Sequence, residues 1–480
     1  MSSASFKGTK IVCTIGPATQ TPERLRALVQ AGMNVCRLNF SHGTHEEHAE
    51  FMRHIRAVDK ATGEPLTILQ DLQGPKIRVG ELPKTGVTLK EGGEIIFTTG
   101  KATIAKGILP VTYAQLHEDV RPGEMILLDD GLLAMKVKQV KGKNVVCEVI
   151  NGGLLTSHKG MNLPQTKMNV SSLSDKDRED ACFGVEQGVD WMALSFVRSA
   201  QDIHELRTLI ELHAKKKRLK YASSIRIIAK MEKPEAVTNM DEIIEAADGI
   251  MVARGDLGVE IPAEQVPVIQ KRLILKCLNA AKPVIVATQM LDSMIRNPRP
   301  TRAEVSDIAN AVLDHADATM LSGETANGAY PVEAVDIMSR TIRATEKSVF
   351  ETRVPELRVT MHPEWAMTNL ANILARDHQA KAILVASHSG QAARLVSRHR
   401  SGLPIFAATS DERTVHQLNL SWGVQAFCLS SCTTVADLLR QALPHLVKQH
   451  LIKKGDRLIV VAGEQLGTSG NIDLVELRTV

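Results

Sequence analysis

The sequence predicts an α/β protein: a (β/α)8 barrel, a small β-barrel domain inserted into it, and a further α/β domain at the C-terminal end. The chain has 480 residues, enough for about three domains of ordinary size. Short apolar runs alternate with helical patterns through the first two-thirds, and this alternation stops between residues 73 and 170. We therefore expect the barrel at 1–72 and 171–347, the insertion at 73–170 and the last domain at 348–480.

Eight apolar runs are the candidate barrel strands, and helical patterns lie between them. Continuous apolar runs of this length are typical of parallel strands buried on both faces. Thr301-Arg302-Ala303-Glu304, which has the form of a capping box, marks one helix start. An open doubly wound sheet is the alternative, but no GxGxxG loop follows the first run, which favours a barrel of the TIM type. The candidate strands are Lys10–Gly16, Asn34–Phe40, Leu66–Leu72, Asp190–Phe196, Ile225–Met231, Gly249–Gly255, Pro283–Gln289 and Ala318–Glu324.

The insertion is rich in turn signals and nearly lacks helical patterns, which indicates an all-β domain. It leaves the carboxyl end of the third candidate strand, on the side where the active sites of such barrels lie. We therefore expect it to act as a lid. Beyond residue 348, apolar runs alternate with helical stretches again; these runs are Lys381–Ser387, Pro404–Ser410, Gly423–Leu429, Asp456–Gly463 and Ile472–Leu477.

The composition argues against several classes of protein. The 58 basic and 54 acidic residues leave a net charge of only +4, and aromatic residues make up 3%, so neither a nucleic-acid-binding surface nor base-stacking side chains are indicated. No uncharged apolar run reaches about 18 residues, so we expect no membrane span. The seven cysteines include no CxxC pair, which favours reduced thiols and a cytoplasmic location.

Polar side chains follow the candidate barrel strands at their carboxyl ends. Because all strands of such a barrel run in one direction, these groups should meet at one mouth. Residues two apart in a strand face the same side, so Lys230 and Glu232 should point into the same space. The other groups expected at the mouth are Arg37, Asn39, Ser41, His42, Asp71, Ser195, Arg254, Gly255, Asp256, Thr288, Gln289, Ser322 and Glu324.

Two carboxylates at this mouth suit a hard divalent cation. Mg²⁺ or Mn²⁺ is commonly held by one or two carboxylates, with substrate oxygens and water completing the coordination shell. Glu232 and Asp256 are the candidate pair, and two separate salt bridges are the structural alternative. Lys230 follows an almost apolar run, so it is a stabiliser of negative charge, a Schiff-base nucleophile or the partner of a structural carboxylate.

Other residues suit an anionic substrate, although each has a structural alternative. Arg37 and Arg78 carry the forked donors that clamp phosphate. Gly255 lets its backbone N–H approach an anion closely, unless it serves only a tight turn. Thr288 is either a donor to a developing negative charge or an internally satisfied side chain. The set favours a Mg²⁺-assisted reaction on a small phosphorylated or carboxylated molecule, such as phosphoryl transfer.

Eight motifs resemble those of the pyruvate kinase family, in the order in which that family has them. The resemblance extends over the whole chain, including the insertion and the C-terminal domain, and it is greatest with bacterial forms that have a short N-terminal segment. The motifs are Lys10–Pro17 (KIVCTIGP), Arg37–Gly43 (RLNFSHG), Gly74–Arg78 (GPKIR), Lys230–Glu235 (KMEKPE), Asp248–Glu260 (DGIMVARGDLGVE), Ala287–Met294 (ATQMLDSM), Arg299–Asn310 (RPTRAEVSDIAN) and Met320–Ala326 (MLSGETA).

The resemblance implies a Mg²⁺-dependent enzyme of glycolysis that transfers the phosphoryl group of phosphoenolpyruvate to ADP and yields pyruvate and ATP. It also implies a catalytic barrel, a regulatory C-terminal domain and a homotetramer, with Thr288 implicated in protonating the enolate. By position, it assigns Mg²⁺ to Glu232 and Asp256, the transferring phosphoryl group to Lys230, substrate contacts to Arg37, Gly255, Asp256 and Thr288, and nucleotide contacts to His42, Arg78 and Lys176.

A monovalent-cation site is implied as well, and here the sequence departs from part of the family. The site matches Asn39, Ser41, Asp71 and the backbone of Leu72. Many members need K⁺ and carry Glu where this chain has Lys76. The Lys76 ammonium has the charge of K⁺, and we expect it near Asp71 and Asn39, where it would replace K⁺ and repel a bound cation. We therefore expect activity that depends little on K⁺; the alternative is that Lys76 points to solvent and K⁺ still binds.

The C-terminal domain contains a loop that matches the place of the family's allosteric phosphate. Ser387-His388-Ser389-Gly390 lies between a candidate strand and the next helix, and Thr468-Ser469-Gly470 is expected to approach it. Backbone N–H groups and hydroxyls at a helix start bind anions. We therefore expect a phosphorylated activator, AMP or a sugar phosphate, with a simple helix cap as the alternative.

Two other functions remain open from the sequence alone. A Mg²⁺-dependent aldolase or lyase acting on pyruvate enolate would use the same type of barrel but would need neither ADP nor a lid. A degenerate homologue that senses a metabolite would be expected to lack Lys230, Glu232 or Asp256, and all three are present. Assaying pyruvate formation with and without ADP distinguishes these functions.

Overall fold

The computed structural model describes residues 6–168, 170–219, 224–349, 357, 362–463 and 472–480. Within these residues the chain forms a closed parallel barrel, a mixed β-sheet unit inserted after the third barrel strand, and a C-terminal unit with its own sheet. The predicted fold class is therefore confirmed, while the residue limits of the domains given above stay a prediction.

The strands and helices are numbered here along the chain. The strands are β1 (Lys10–Thr14), β2 (Val35–Asn39), β3 (Thr67–Asp71), β4 (Val87–Leu89), β5 (Glu94–Thr98), β6 (Ile108–Pro110), β7 (Met125–Leu128), β8 (Leu133–Lys141), β9 (Asn144–Asn151), β10 (Gly153–Leu155), β11 (Met161–Asn162), β12 (Trp191–Leu194), β13 (Arg226–Met231), β14 (Gly249–Ala253), β15 (Val284–Ala287), β16 (Ala318–Leu321), β17 (Ala382–Ala386), β18 (Ile405–Thr409), β19 (Val424–Cys428), β20 (Arg457–Ala462) and β21 (Leu474–Thr479). The helices are α1 (Pro22–Ala31), α2 (His45–Thr62), α3 (Leu116–Asp119), α4 (Asp175–Gln187), α5 (Ala200–Lys217), α6 (Pro234–Thr238), α7 (Met240–Ala246), α8 (Arg254–Glu260), α9 (Val266–Ala280), α10 (Arg302–Leu313), α11 (Gly323–Ala326), α12 (Pro331–Val349), α13 (Pro363–Asp377), α14 (Gln391–Ser397), α15 (Glu412–Leu418) and α16 (Val435–Lys448).

The barrel closes in the strand order β1-β16-β15-β14-β13-β12-β3-β2. Its strands are parallel and coincide with the eight candidates from the sequence, so all polar groups that follow the strands lie at one end. Seven of the strands end one to three residues earlier than expected, because the chain turns into loops and short helices at the mouth. Thr301 and Glu304 form the predicted capping box of α10.

The insertion has mainly β-strands as its regular structure, as expected, together with the four-residue helix α3 and a 3-10 turn at 104–106. Its six-stranded mixed sheet has the order β11-β7-β8-β9-β5-β6, and β4 and β10 form a separate ribbon. Register shifts between β8 and β9 bend this sheet. Its apolar side chains, Phe97 and Ile126 among them, form a core separate from that of the barrel. In this strand order β6 and β11 lie at the two edges of the sheet. The sequence predicts a small barrel here, and the strand order differs from that prediction in having two edges.

The C-terminal unit lies at the opposite end of the barrel from the mouth. Its sheet has the order β19-β18-β17-β20-β21, with β21 antiparallel to β20. Arg400 donates to Asp317, just before β16, at 2.7 Å. Arg226, the first residue of β13, donates to the carbonyl of Ser389 at 3.0 Å. These contacts join the C-terminal unit to the amino ends of the barrel strands.

Helices suited to crossing a lipid bilayer are absent from the part of the chain that the structure describes, since none combines sufficient length with sufficient apolarity.

Candidate active site

Lys230 lies at the centre of the barrel mouth, held by three partners. Its Nζ lies 2.8 Å from Glu232 Oε1 and 3.2 Å from Asp71 Oδ1, and it donates to Ser195 Oγ at 2.7 Å. Burial lowers the pKa of Lys230, but attraction to Asp71 and Glu232 is larger in sum and raises it above its usual value. The side chain therefore stays charged, which disfavours the neutral amine that a Schiff base requires.

Arg37 extends this charged cluster on the side of β2. Its Nε donates to Asp71 Oδ2 at 2.6 Å, and its Nη1 donates to Thr14 Oγ1 at 2.8 Å. Asp71 is buried, which raises its pKa, but Lys230 and Arg37 outweigh burial and lower the pKa below its usual value. Asp71 therefore stays ionised and fixes both cations at the mouth.

Glu232 and Asp256 form an electrostatically coupled pair of carboxylates. Glu232 is buried and accepts the Phe196 N–H at 2.7 Å. Burial raises its pKa; Lys230 acts against this, while the negative charge of Asp256 raises the pKa further. A divalent cation between the two would relieve that repulsion, so the donor set fits Mg²⁺ or Mn²⁺. Among the described residues no group of three or more His, Cys, Asp and Glu side chains could hold a metal, so the remaining ligands would be substrate and water.

Gly255 and Thr288 meet where α8 begins. The Gly255 N–H donates to Thr288 Oγ1 at 2.7 Å. Thr288 and the next residue, Gln289, have positive φ values of 71° and 55°, which are unfavourable for side chains other than glycine. Arg254 holds this backbone by donating to the Thr288 carbonyl at 2.8 Å and pairing with Asp307 at 2.7 Å. This strained backbone conformation holds the Thr288 hydroxyl next to the Gly255 N–H.

A cavity of about 800 Å³ opens beside these groups. Gly255, Asp256 and Thr288 line it on the barrel side, together with Asp130 of the insertion and Lys76. The cavity lies between barrel and insertion and has the size of an ordinary small-molecule site, about 300–1,000 Å³. The insertion therefore supplies part of the wall of this cavity, and its action as a lid stays a prediction.

The three residues expected near a nucleotide lie around the mouth and not in this cavity wall. Lys176, in the first turn of α4, donates to the Phe40 carbonyl at 2.7 Å and pairs with Asp180 at 2.5 Å. His42 is exposed, two residues beyond Phe40. Arg78 lies where the chain enters the insertion and donates to the His158 carbonyl at 2.9 Å. Lys176 therefore contacts the loop that carries His42, whereas Arg78 belongs to the insertion.

The four residues expected at a monovalent cation already have partners in the chain. Asn39 Oδ1 accepts the Ser41 N–H at 3.2 Å, and the Leu72 carbonyl accepts the Ser195 hydroxyl at 2.7 Å. Asp71 has Arg37 and Lys230 as its cationic partners. Lys76 is exposed on the cavity wall that Asp256 also lines, so it is not the cation paired with Asp71.

The loop 387–390 of the C-terminal unit precedes α14. Gly390 has a φ of 80°, a left-handed value that favours glycine. The His388 carbonyl accepts the Thr414 hydroxyl at 3.2 Å, and the Ser389 carbonyl accepts Arg226. Ser387 is buried. Residues 468–470, expected to approach this loop, lie outside the described residues.

Sequence reasoning gave no role to several residues that shape the mouth. Ser195 orients Lys230, and Arg254 with Asp307 holds the strained turn at Thr288. Glu260, at the end of α8, accepts Asn162 of the insertion at 2.8 Å. These contacts join residues far apart in sequence, so no local pattern indicates them. The available sequence signal for Glu260 and Asp307 is that they lie in the motifs Asp248–Glu260 and Arg299–Asn310.

This geometry defines a class: a (β/α)8 barrel protein with an inserted β unit, whose mouth brings Lys230 and Arg37 together with buried carboxylates. A family model described as pyruvate kinase, barrel domain, matches residues 6–335, and one described as pyruvate kinase, alpha/beta domain, matches 366–477. Pyruvate kinase of Geobacillus stearothermophilus is 45% identical over 479 residues, covering 98% of this chain and 80% of that protein. The Agrobacterium vitis pyruvate kinase is 44% identical over 474 residues, covering 97% of each chain. For Mycobacterium tuberculosis pyruvate kinase the identity is 42% over 472 residues, covering 98% of each.

The chain belongs to the pyruvate kinase family. It is a phosphotransferase of the reaction in which phosphoenolpyruvate and ADP give pyruvate and ATP, and the family depends on metal ions. Membership argues against the aldolase or lyase that the sequence alone left open.

Proposed function

We propose that the barrel mouth carries out this reaction, with Lys230 stabilising the phosphoryl group as it passes from phosphoenolpyruvate to ADP. One observation carries the assignment: the Lys230 ammonium is buried, charged and fixed by Asp71, Glu232 and Ser195. A cation that is already in place needs no reorganisation when negative charge develops on the moving group. Phosphoryl transfer rests largely on such positioning and charge stabilisation.

Substrate binding is assigned to groups around this lysine. Arg37 binds the phosphate, and the backbone N–H groups of Gly255 and Asp256 bind the carboxylate. The bond from phosphorus to the enolate oxygen breaks as a bond to the terminal phosphate oxygen of ADP forms. The enolate then takes up a proton at its methylene carbon, next to the Thr288 hydroxyl, and becomes pyruvate. In the structure the Gly255 N–H donates to Thr288 Oγ1, so this donor would turn from the threonine hydroxyl to the substrate carboxylate on binding.

Glu232 and Asp256 are the proposed protein ligands of Mg²⁺ or Mn²⁺. A divalent ion here offsets the charge of the substrate oxygens. The carboxylate of Glu232 is kept in place by the Phe196 N–H, and Lys230 shares its other oxygen.

His42, Arg78 and Lys176 are the proposed nucleotide contacts. His42 lies on a barrel loop, Lys176 lies in the first turn of α4, and Arg78 lies at the start of the insertion. Movement of the lid would therefore bring Arg78 to a nucleotide bound on the barrel.

The chain is proposed to work with little dependence on K⁺. Arg37 and Lys230 already neutralise Asp71, and Lys76 adds a positive charge to the cavity wall near Asp256. A bound cation at Asn39, Ser41, Asp71 and Leu72 would have to compete with these positive charges and with existing hydrogen bonds.

Regulation, assembly and location are proposed as follows. A phosphorylated activator, AMP or a sugar phosphate, binds at Ser387–Gly390. The chain assembles as a homotetramer, as its family usually does, and works in the cytoplasm. The cysteines of the described residues are all free thiols, which agrees with a reducing compartment.

The test of the site is pyruvate formation by the full chain in the presence and absence of ADP and of Mg²⁺. We expect formation to require both, and we expect Mn²⁺ to replace Mg²⁺. Pyruvate release from phosphoenolpyruvate at an equal rate without ADP would contradict the proposed transfer.

A further inference from the structure

One carboxylate oxygen joins the insertion to both segments that bear the proposed metal ligands. Glu260 is 5% exposed, and its Oε1 accepts Lys233 Nζ at 2.6 Å and Asn162 Nδ2 at 2.8 Å. Asn162 lies in β11 of the insertion, and Lys233 directly follows Glu232. Asp256 precedes Glu260 by one helical turn of α8, on the same face. Lid, Glu232 segment and Asp256 helix therefore meet at Glu260.

Lys233 brings a buried positive charge to this junction, close to the proposed metal ligands. Lys233 is also 5% exposed and lines a small cavity beneath the insertion that Asp256 lines as well. Its Nζ lies 5.7 Å from the centre of the Phe196 ring, and the Phe196 N–H holds Glu232. Glu260 is the ion-pair partner of this buried cation. Its other oxygen, Oε2, is buried without a hydrogen-bond partner in the described part of the chain, so Oε1 carries both contacts.

The insertion approaches α8 at a second point. A β-carbon added at Gly131, in the turn that also supplies Asp130 to the large cavity, would lie 3.7 Å from Val259 Cγ1. The insertion therefore comes close to Val259 and contacts Glu260, both in the last turn of α8.

We propose that Glu260 is a positioning residue that couples contact of the lid with α8 to cation binding by Glu232 and Asp256. This inference rests on the proposed metal site. When the lid lies on α8, Asn162 donates to Glu260 and fixes its carboxylate on Lys233. Without that carboxylate, Lys233 is an uncompensated buried cation in the cavity that Asp256 lines, and it repels a divalent ion there.

The first experiment measures Mn²⁺ binding to the full chain by electron paramagnetic resonance of free Mn²⁺, without substrates. Glu260→Gln keeps the shape of the side chain but removes its charge, and we expect the Mn²⁺ dissociation constant to rise about tenfold. In the double variant Lys233→Met/Glu260→Gln both charges are gone, and we expect the constant to return to within about threefold of the original. Equal Mn²⁺ affinity in all three proteins would overturn the proposal, as would failure of the double variant to recover despite an unchanged melting temperature.

The second experiment isolates the lid contact. Asn162→Ala removes the side-chain amide that donates to Glu260, and Asn151→Ala, at an exposed position of the same insertion, is its matched control. We expect faster amide hydrogen exchange in α8 and weaker Mn²⁺ binding in Asn162→Ala, and neither change in Asn151→Ala. Identical exchange and affinity in the two variants would reduce the Asn162 contact to packing and contradict the coupling.

A Glu232→Gln variant separates failure of this inference from failure of the metal site. If Glu232→Gln binds Mn²⁺ as the original chain does, the metal site itself is wrong and the coupling falls with it. If Glu232→Gln loses Mn²⁺ binding while Glu260→Gln and Asn162→Ala retain it, the metal site stands and only the coupling is overturned.

Discussion

The ammonium of Lys230 is fixed by Asp71, Glu232 and Ser195 before any substrate is present. A group fixed in this way stabilises the transition state and contributes less to ground-state binding. We expect Lys230→Met to lower kcat by about 100-fold to 1,000-fold with a much smaller change in KM, as measured by steady-state kinetics. Exchange of the methyl protons of bound pyruvate with solvent, which involves no phosphoryl transfer, should persist.

Lys136→Met, a change at an exposed lysine of β8, serves as the control for Lys230→Met and should leave both constants unaltered. An effect of Lys230→Met that is confined to KM would instead assign Lys230 to ground-state binding.

Asp256 has a simpler role, since it contributes charge to the proposed metal site. Asp256→Asn keeps the size of the side chain and removes the charge, so the carboxylate pair with Glu232 is lost. We expect a many-fold higher Mg²⁺ concentration for half-maximal rate and a strongly reduced kcat. A Mg²⁺ titration at saturating substrates measures both, and a variant with the original Mg²⁺ dependence and rate would rule out the assignment.

Substitution of Lys76 tests whether the activity depends on monovalent cations. Lys76→Glu changes the local charge by two units on a cavity wall shared with Asp256. We expect the original chain to respond little to K⁺, and the variant to require it. The measurement is turnover in tetramethylammonium buffer with and without KCl at matched ionic strength. Strong K⁺ stimulation of the original chain would contradict the proposal.

At the scale of single residues, the sequence predicts which residues belong to the candidate site better than it predicts which groups they contact. The two-residue spacing correctly brings Lys230 and Glu232 together, because it follows from strand geometry alone. The exposed position of Lys76 on the cavity wall could not be predicted, because it depends on where the insertion lies. Glu260 was missed for the same reason, since its contacts come from Lys233 and from Asn162 in another unit.

At the scale of elements, all eight barrel strands were found, because apolar runs and intervening helical patterns are local signals. Their ends were less predictable. Thr288 and Gln289 leave the strand in left-handed conformations that Arg254 holds from a neighbouring segment. Such turns at the mouth are imposed by tertiary contacts, which no run of residues reveals.

The prediction of a phosphorylated activator concerns the segment formed by β17, the loop 387–390 and α14. Ser389→Glu introduces a negative charge where a phosphate is expected, so repulsion should abolish activation by AMP or sugar phosphates while basal activity is retained. Rate measurements with each effector test this. Ser430→Glu, at an exposed position of the same unit, should leave activation intact. Unchanged activation of Ser389→Glu by every phosphorylated effector would refute the site.

At the scale of the whole molecule, buried histidines lie where the C-terminal unit meets the base of the barrel. Burial, together with the positive charges of Arg398 and Arg400, lowers the pKa of His399 to about 4. His315, whose carbonyl accepts Arg400 at 3.0 Å, likewise has a pKa lowered by burial to about 4. Both side chains are therefore neutral in the folded chain at pH 5, whereas an unfolded chain would hold protons on them.

The sign of the resulting pH dependence follows from proton counting. Between the usual histidine pKa of 6.5 and the folded value of about 4, the unfolded chain binds more protons, so the free energy of unfolding falls as the pH falls through this range. For buried His399 the loss amounts to about 3 kcal/mol at most. Trp365 and Trp422 lie at this junction, with Arg398 and Arg400 over their rings, so tryptophan fluorescence reports its unfolding.

We expect urea unfolding to show lower stability at pH 5 than at pH 7.5, and His399→Gln to reduce that difference. The substituted side chain binds no proton, so the unfolded state loses its advantage at this position, whatever the effect on stability at neutral pH. His378→Gln, at an exposed histidine of the same unit, is the control and should retain the full pH dependence. An equal dependence in the original chain and His399→Gln would show that His399 is not the group whose protonation loosens the junction.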